Sequence, residues 1–187
     1  MPGSPISRRQ WLAISPFGAG CAAALAAQQH AHQAPTPPAV LGVFSPAEAR
    51  EIEAIANQII PGGDSAGARE AGVIYFIDRA LATFDAGKRA LYTEGLALAQ
   101  KKRTELFPGS TSIADLAEDR QVRLLQAIEK TQFFEQVRTH CIMGFLGNPS
   151  YGGNRGLAGW KSIGFEDRFH FEPPFGYYDS AEGLAKP

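Results

Sequence analysis

No aspartate or glutamate occurs before Glu48 in this chain of 187 residues, and cysteine is nearly absent, with only Cys21 and Cys141. So few cysteines exclude a four-thiolate zinc or iron–sulfur site, and the lack of a Cys-x-x-Cys-His run excludes covalent haem attachment. No glycine-rich loop follows a strand-like segment, so the sequence gives this chain no means of holding FAD or NAD itself. A Gly-x-Ser-x-Gly nucleophile elbow is missing too. Basic residues are not in surplus: 18 Lys and Arg stand against 19 Asp and Glu, a net charge of −1 with no basic stripe. Nucleic acid is therefore a poor partner. Strand-like alternation is missing before residue 145, and no internal repeat is present. What remains is a helix-rich chain without a catalytic kit of its own.

The acid-free start carries Ser7-Arg8-Arg9-Gln10-Trp11-Leu12. Paired arginines ahead of an uncharged apolar stretch resemble a twin-arginine export signal, the route for proteins that cross a membrane already folded. The apolar segment 11–27 is interrupted by Ser15, Pro16 and two glycines, and it falls short of the roughly 20 strongly apolar residues a permanent span requires. Ala24-Leu25-Ala26 fits a cleavage site that leaves Ala27 as the first mature residue. Residues 1–26 are thus read as a signal and 27–43 as a flexible Gln/Ala/Pro-rich linker. Losing Arg8 and Arg9 shifts the net charge to −3. The expected destination is the periplasm. Gly18-Ala19-Gly20 lacks the large aliphatic residue that usually precedes a lipid-modified cysteine, so Cys21 is expected to leave with the signal. His30 and His32 in the linker read as a bland tail rather than a metal site. Cys141 is then alone in an oxidising compartment, bonded to another chain or buried as a thiol; burial is the commoner state for cysteine.

About 160 residues are enough for one domain with a real core. The expected fold is all-α: a single compact helical domain of five to six helices over 44–146, then an irregular Gly/Pro/aromatic-rich segment over 147–187. Ser45-Pro46-Ala47-Glu48 is a capping box with proline at the first helical position. Ile52, Ile55, Ile59 and Ile60 form one face, ended by Pro61-Gly62-Gly63. A second helix is expected from near Ala68 to Gly87, with Val73, Phe76, Ile77, Ala80, Leu81 and Phe84 inward. A third runs from Lys88 to Leu106 with Leu91, Leu98 and Leu106 as core residues, broken by Pro108-Gly109. Ser112 to Ala117 reads as a short helical turn. Asp119 leads a helix with Val122, Leu125 and Ile128 on one side. Phe133, Phe134, Val137, Cys141 and Phe145 make the last apolar face. His140 and Cys141 are adjacent and point in different directions, which argues against a nucleophile pair. Glu129 and Glu135 read as a solvated face. An enzymatic alternative would group His140, Glu135 and Arg138 around a pocket.

The end of this pattern is distinctive. Gly147-Asn148-Pro149-Ser150-Tyr151-Gly152-Gly153-Asn154-Arg155, followed by Gly159-Trp160-Lys161-Ser162-Ile163-Gly164, resembles the gluconate 2-dehydrogenase subunit 3 family. Ile59-Ile60-Pro61, Gly67-Ala68, Glu70 to Val73, Phe76-Ile77-Asp78 and Phe133-Phe134 with Val137 to His140 fit the same family, over about residues 45–165. One departure is the text Pro61-Gly62-Gly63-Asp64, where a second acidic residue is often seen. The resemblance implies a small, non-catalytic subunit partnered with a large FAD-dependent dehydrogenase of a sugar or sugar acid. It also implies a cytochrome c subunit as electron acceptor, with haem c or iron–sulfur centres confined to partners. The small subunit supplies the export signal for the folded pair, engages the twin-arginine translocase, and sits at the membrane only through the complex. A stand-alone periplasmic scaffold is the alternative. Tyr151, Arg155 and Trp160 are residue types enriched at interface hot spots. With Gly152, Gly153, Asn154 and Lys161 they make the expected partner interface. The same loop could equally cap the chain's own helices, with Arg155 bonding carbonyls at a helix end.

Overall fold

The computed structural model describes residues 40–168 and His170. The expected export signal with Arg8 and Arg9, the expected cleavage site, most of the expected linker and the chain beyond His170 lie outside the described residues. Among those described, six α-helices and no strand occur. They are α1 Pro46–Ile59, α2 Val73–Ala82, α3 Arg89–Leu106, α4 Glu118–Ile128, α5 Gln132–Leu146 and the short α6 Ala158–Ser162. None is long and apolar enough to cross a membrane.

Local chemistry sets most boundaries. Ser45 and Glu48 form the full capping box of α1, with Pro46 at the first turn. Thr131 accepts the Phe134 N–H and starts α5, so α4 and α5 are separate helices. The expected start of α2 near Ala68 is corrected to Val73. Residues 68–72 are turns, and Gly72 adopts φ +65°, a left-handed conformation that stops the helical path from extending backwards. At the other end α2 stops at Ala82, where Thr83 leaves helical geometry. Phe84 therefore swings outward and is 56% exposed, against the inward placement its spacing predicts. Residues 112–117 form a bend and turn rather than helix.

The core is a single cluster in which α5 is the central element. It packs most extensively on α2 and also meets α1, α3 and α6, while α4 closes against α1 and α3. Two close approaches fix α5. Gly144 lies against the Phe76 side chain of α2, and Gly95 of α3 lies so near Phe133 that a Cβ there would sit 2.1 Å from the ring. Ile52, Ile55, Ile77, Leu81, Leu124, Ile128 and Val137 fill the space between the helices. The inward face of α3 differs from the expected leucine stripe. Tyr92, Leu96, Ala99 and Arg103 are buried, whereas Leu98 and Leu106 are exposed and Leu91 is half-buried. Val122 of α4 is exposed as well, with Leu124 taking the inward place.

A strap of bent chain, residues 41–44, leads into α1. The N–H groups of Gly42, Val43 and Phe44 all donate to the Asp78 carboxylate of α2, at 2.7, 2.9 and 2.8 Å. Asp78 is almost wholly buried, and three charge-assisted bonds are what allow a carboxylate to remain there.

Candidate partner-binding site

The loop after α5 folds back over the helical body instead of leaving it. Asn154 is the pivot. Its φ of +46° is left-handed, a conformation asparagine tolerates better than most residues. Its fully buried amide donates Nδ2 to the Gly147 carbonyl and accepts the Gly159 N–H at Oδ1, both at 2.9 Å. One side chain thus staples the two ends of the loop. Gly153 and Gly159 run directly against α5: a Cβ would lie 2.1 Å from the Gly144 carbonyl oxygen at the first and 1.9 Å from that of Phe145 at the second. Trp160 turns inward, donates Nε1–H to the Leu146 carbonyl at 2.6 Å, and meets the Phe165 ring edge-on at 5.0 Å. The Arg155 backbone N–H bonds the Ala71 carbonyl at 3.0 Å, tying the loop to the start of α2. Residues 147–165 therefore pack back on the helices that precede them.

Of the seven residues expected at a partner interface, Gly152, Gly153, Asn154 and Trp160 are buried against the chain's own helices, and Arg155 is half-buried. Tyr151 and Lys161 face solvent. Several apolar side chains of α5 and of the segment after α6 are exposed as well. Ile142, Met143 and Leu146 point outward from the last turns of α5, and Ile163 and Phe165 are exposed just after α6, with Phe165 packed on Trp160. The signal for Ile142 and Met143 was present: both lie off the Val137–Cys141–Phe145 stripe, so a helix buried on that stripe must show them to the outside. Replacing Trp160 with phenylalanine is expected to cost about 1–2 kcal/mol, since the Leu146 carbonyl loses its donor while the ring volume is largely kept. Denaturant unfolding of the pair of proteins measures it; equal midpoints would show that the bond contributes nothing.

Cys141 is fully buried, and burial alone pushes its thiol up to about 12. The fold thus disfavours an inter-subunit disulfide at Cys141, because the sulfur has no route to another chain without opening the core. A Cys141→Ser variant is expected to run like its parent on a non-reducing gel; a covalent heterodimer band lost only in the variant would overturn this.

His140 is also fully buried, and it sits in a chain of three polar groups from three elements. Tyr92 Oη lies 2.8 Å from His140 Nδ1, and His140 Nε2 lies 2.8 Å from Asp85 Oδ2. Asp85 also pairs with Lys88 at 3.3 Å. The His140 hydrogen bond, followed by Lys88, holds the Asp85 carboxyl below its usual range against the opposing effect of burial. An ionised Asp85 can only accept, so His140 carries its proton on Nε2 and takes the Tyr92 hydroxyl hydrogen at Nδ1. Burial lowers the His140 pKa, with Asp85 opposing, so the ring is neutral. Glu135 and Arg138 pair with each other at 2.6 Å on the surface. The grouping of His140, Glu135 and Arg138 that an enzyme of its own would require is not formed. Among the described residues no cluster of three His, Cys, Asp or Glu side chains is placed to hold a metal.

The His140 chain makes stability pH-dependent. The unfolded ring binds a proton near the ordinary 6.5, and the folded ring only below that value. Stability is complete above that point and falls as the pH drops through it toward the folded value. Asp85, with its lowered folded value, continues the loss in the same direction below 3.8. Chemical unfolding at about pH 7.5 and about pH 5 is expected to show the drop, and His140→Gln to flatten it. A parent protein equally stable at both would contradict the neutral assignment.

The described residues thus form an all-α body closed by a stapled C-terminal loop, with apolar side chains of α5 turned outward. The family model for gluconate 2-dehydrogenase subunit 3 matches residues 46–167, and the chain belongs to that family. No curated protein and no solved structure gives a match.

Proposed function

We propose that this chain is the non-catalytic small subunit of a periplasmic dehydrogenase complex. It assembles with a large FAD-dependent subunit that oxidises a sugar or sugar acid, and carries it through the twin-arginine pathway. A cytochrome c subunit receives the electrons and holds the complex at the membrane. The observation that carries this reading is the family match over 46–167 in a chain that also carries Ser7-Arg8-Arg9-Gln10-Trp11-Leu12. A flavoprotein that acquires FAD in the cytoplasm needs a folded-state export route, and one signal can serve two folded partners. The docking surface of this reading centres on Tyr151 and Lys161 with the exposed edge of Ile142, Met143, Leu146 and Phe165. Large apolar and aromatic groups of this kind dominate interface energetics once they are covered.

Co-purification tests it. The C-terminally tagged chain, expressed with its neighbouring genes and isolated from periplasm and membranes, is expected to yield a yellow complex with flavin absorbance. A colourless lone chain, with the neighbours well expressed, would favour the stand-alone scaffold. Arg8→Lys combined with Arg9→Lys is expected to leave both subunits in the cytoplasm. Normal export of the flavoprotein beside that variant would end the carrier role while leaving assembly intact.

A further inference from the structure

The chain turns sharply where α6 ends. Gly164 adopts φ +68°, its N–H donates to the Lys161 carbonyl at 3.3 Å, and the Phe165 N–H donates back to the Trp160 carbonyl at 2.8 Å. Two such bonds around a left-handed glycine form a Schellman stop, which commonly brings an apolar side chain just past the glycine onto one in the last helical turn. Phe165 meets Trp160 in this way, with ring centres 5.0 Å apart. The Trp160 indole is bonded in turn to the Leu146 carbonyl at the end of α5. The stop therefore sends the chain back toward the end of α5 instead of onward from α6. An uncovered apolar face begins at that same residue. Leu146 lies four residues after Ile142 and three after Met143, so the three side chains are neighbours on the last turns of α5, and all are exposed.

The sequence that follows matches this face in chemistry and in length. Phe169-His170-Phe171-Glu172-Pro173-Pro174-Phe175-Gly176-Tyr177-Tyr178 carries five large aromatic rings and a single acidic group, whereas 179–187 carries no aromatic residue and three charged ones. Ten residues reach at most about 33–36 Å, and α5 with its 15 residues is about 22 Å long. Ile142 is only one helical turn from Leu146, well within that reach. We propose that residues 169–178 fold back over the Ile142–Met143–Leu146 face while the chain is unpartnered, as a self-cover that the flavoprotein subunit displaces; the displacement, though not the cover, rests on the accessory-subunit reading above. Tethering favours this occupant over a second copy of the chain. A segment joined by a few residues acts at an effective concentration in the millimolar range, far above that of a dilute second molecule. The cover also hides two apolar surfaces from unrelated proteins until the proper partner arrives.

The test places a nitroxide on the full chain through Ser180→Cys, just past the aromatic stretch, with Cys21→Ser removing the other reactive thiol. Cys141 stays unlabelled, because it is buried and its thiol is pushed up to about 12. The label is expected to broaden the Ile142 and Met143 methyl signals of the unpartnered chain. Adding Met143→Asp, a change at an exposed position that is expected to melt like the parent, should restore a sharp Ile142 methyl. Sharp methyl signals in the labelled parent, or equal broadening of Ile142 with and without Met143→Asp, would overturn the cover. The displacement is read separately, with full-length Phe171→Ser/Phe175→Ser against the parent. The variant is expected to capture the flavoprotein roughly three- to tenfold more tightly, since the competent face is no longer occupied. Equal or weaker capture would overturn displacement, and weaker capture would mean that the aromatic rings grip the partner instead. If neither chain captures a flavoprotein, the accessory reading fails, and the cover stands or falls on the label alone.

Discussion

Alanine at Gly159 is expected to lower the stability of the helical body by about 3 kcal/mol or more. The added methyl would lie 1.9 Å from the Phe145 carbonyl oxygen and 3.0 Å from that residue's ring. The obstructing oxygen belongs to the last turn of α5, so it cannot move without disturbing the helix that organises the core. The loop must lift instead. Lifting it loosens the Gly159 N–H bond to Asn154 Oδ1 and the Trp160 bond to the Leu146 carbonyl, which span the same few residues. Gly87→Ala is the comparison, because nothing lies within 4 Å of a Cβ there; it is expected to change stability by less than about 0.5 kcal/mol. Chemical denaturation of the two variants decides the matter. Matching losses would mean that the loop is not part of the cooperative fold.

Asp78→Ala is expected to cost about 3–5 kcal/mol. The substitution strips the acceptor from three N–H groups at once, and that of Phe44 is buried. The amides of residues 42–44 should then exchange with solvent far faster than in the parent, while those in the middle of α5 keep their protection. Asp115→Ala is the control, since Asp115 pairs with Arg50 on an exposed surface at 3.1 Å, and such pairs contribute less than about 1 kcal/mol. Unchanged exchange at residues 42–44 would show that the strap is held by Phe44 packing alone.

The parts of the fold legible in the sequence are those that local rules decide. The Ser45–Glu48 capping box, the Pro61 and Pro108-Gly109 stops and the Val137–Cys141–Phe145 stripe are all statements about neighbours within two helical turns, and the structure carries each of them. The inward face of α3 is not legible from hydrophobicity alone, since Arg103 is buried and Leu98 and Leu106 are exposed. Leu98 and Leu106 can face water at modest cost. Arg103 faces inward because the turn after α3 satisfies it: Ser110 Oγ and the Ser110 carbonyl both accept from Nη1, and Gln100 accepts from Nε. Nothing within α3 itself announces that turn. The Tyr92–His140–Asp85 chain was illegible for the same reason, since its members come from α3, α5 and the link between α2 and α3. In the loop, residue type suggested two roles for Asn154 and Trp160. The fold gives both to the chain's own backbone. What faces outward is an edge of α5 that the loop leaves uncovered.

The strap also decides how the molecule meets a mechanical load. Any pull on residues 1–39 enters the folded body at Gly42–Phe44 and is divided at once among three bonds converging on one carboxylate, with the Phe44 ring seated in the core behind them. Bonds loaded together resist better than bonds broken one after another, so tension is taken up by α2 before it can unwind α1. The loop after α5 meets the same helix, through the Ser150 carbonyl on Arg79 and the Arg155 N–H on the Ala71 carbonyl just before α2. A tug on residues 1–39 therefore strains the Asp78 anchorage first and reaches α5 through α2.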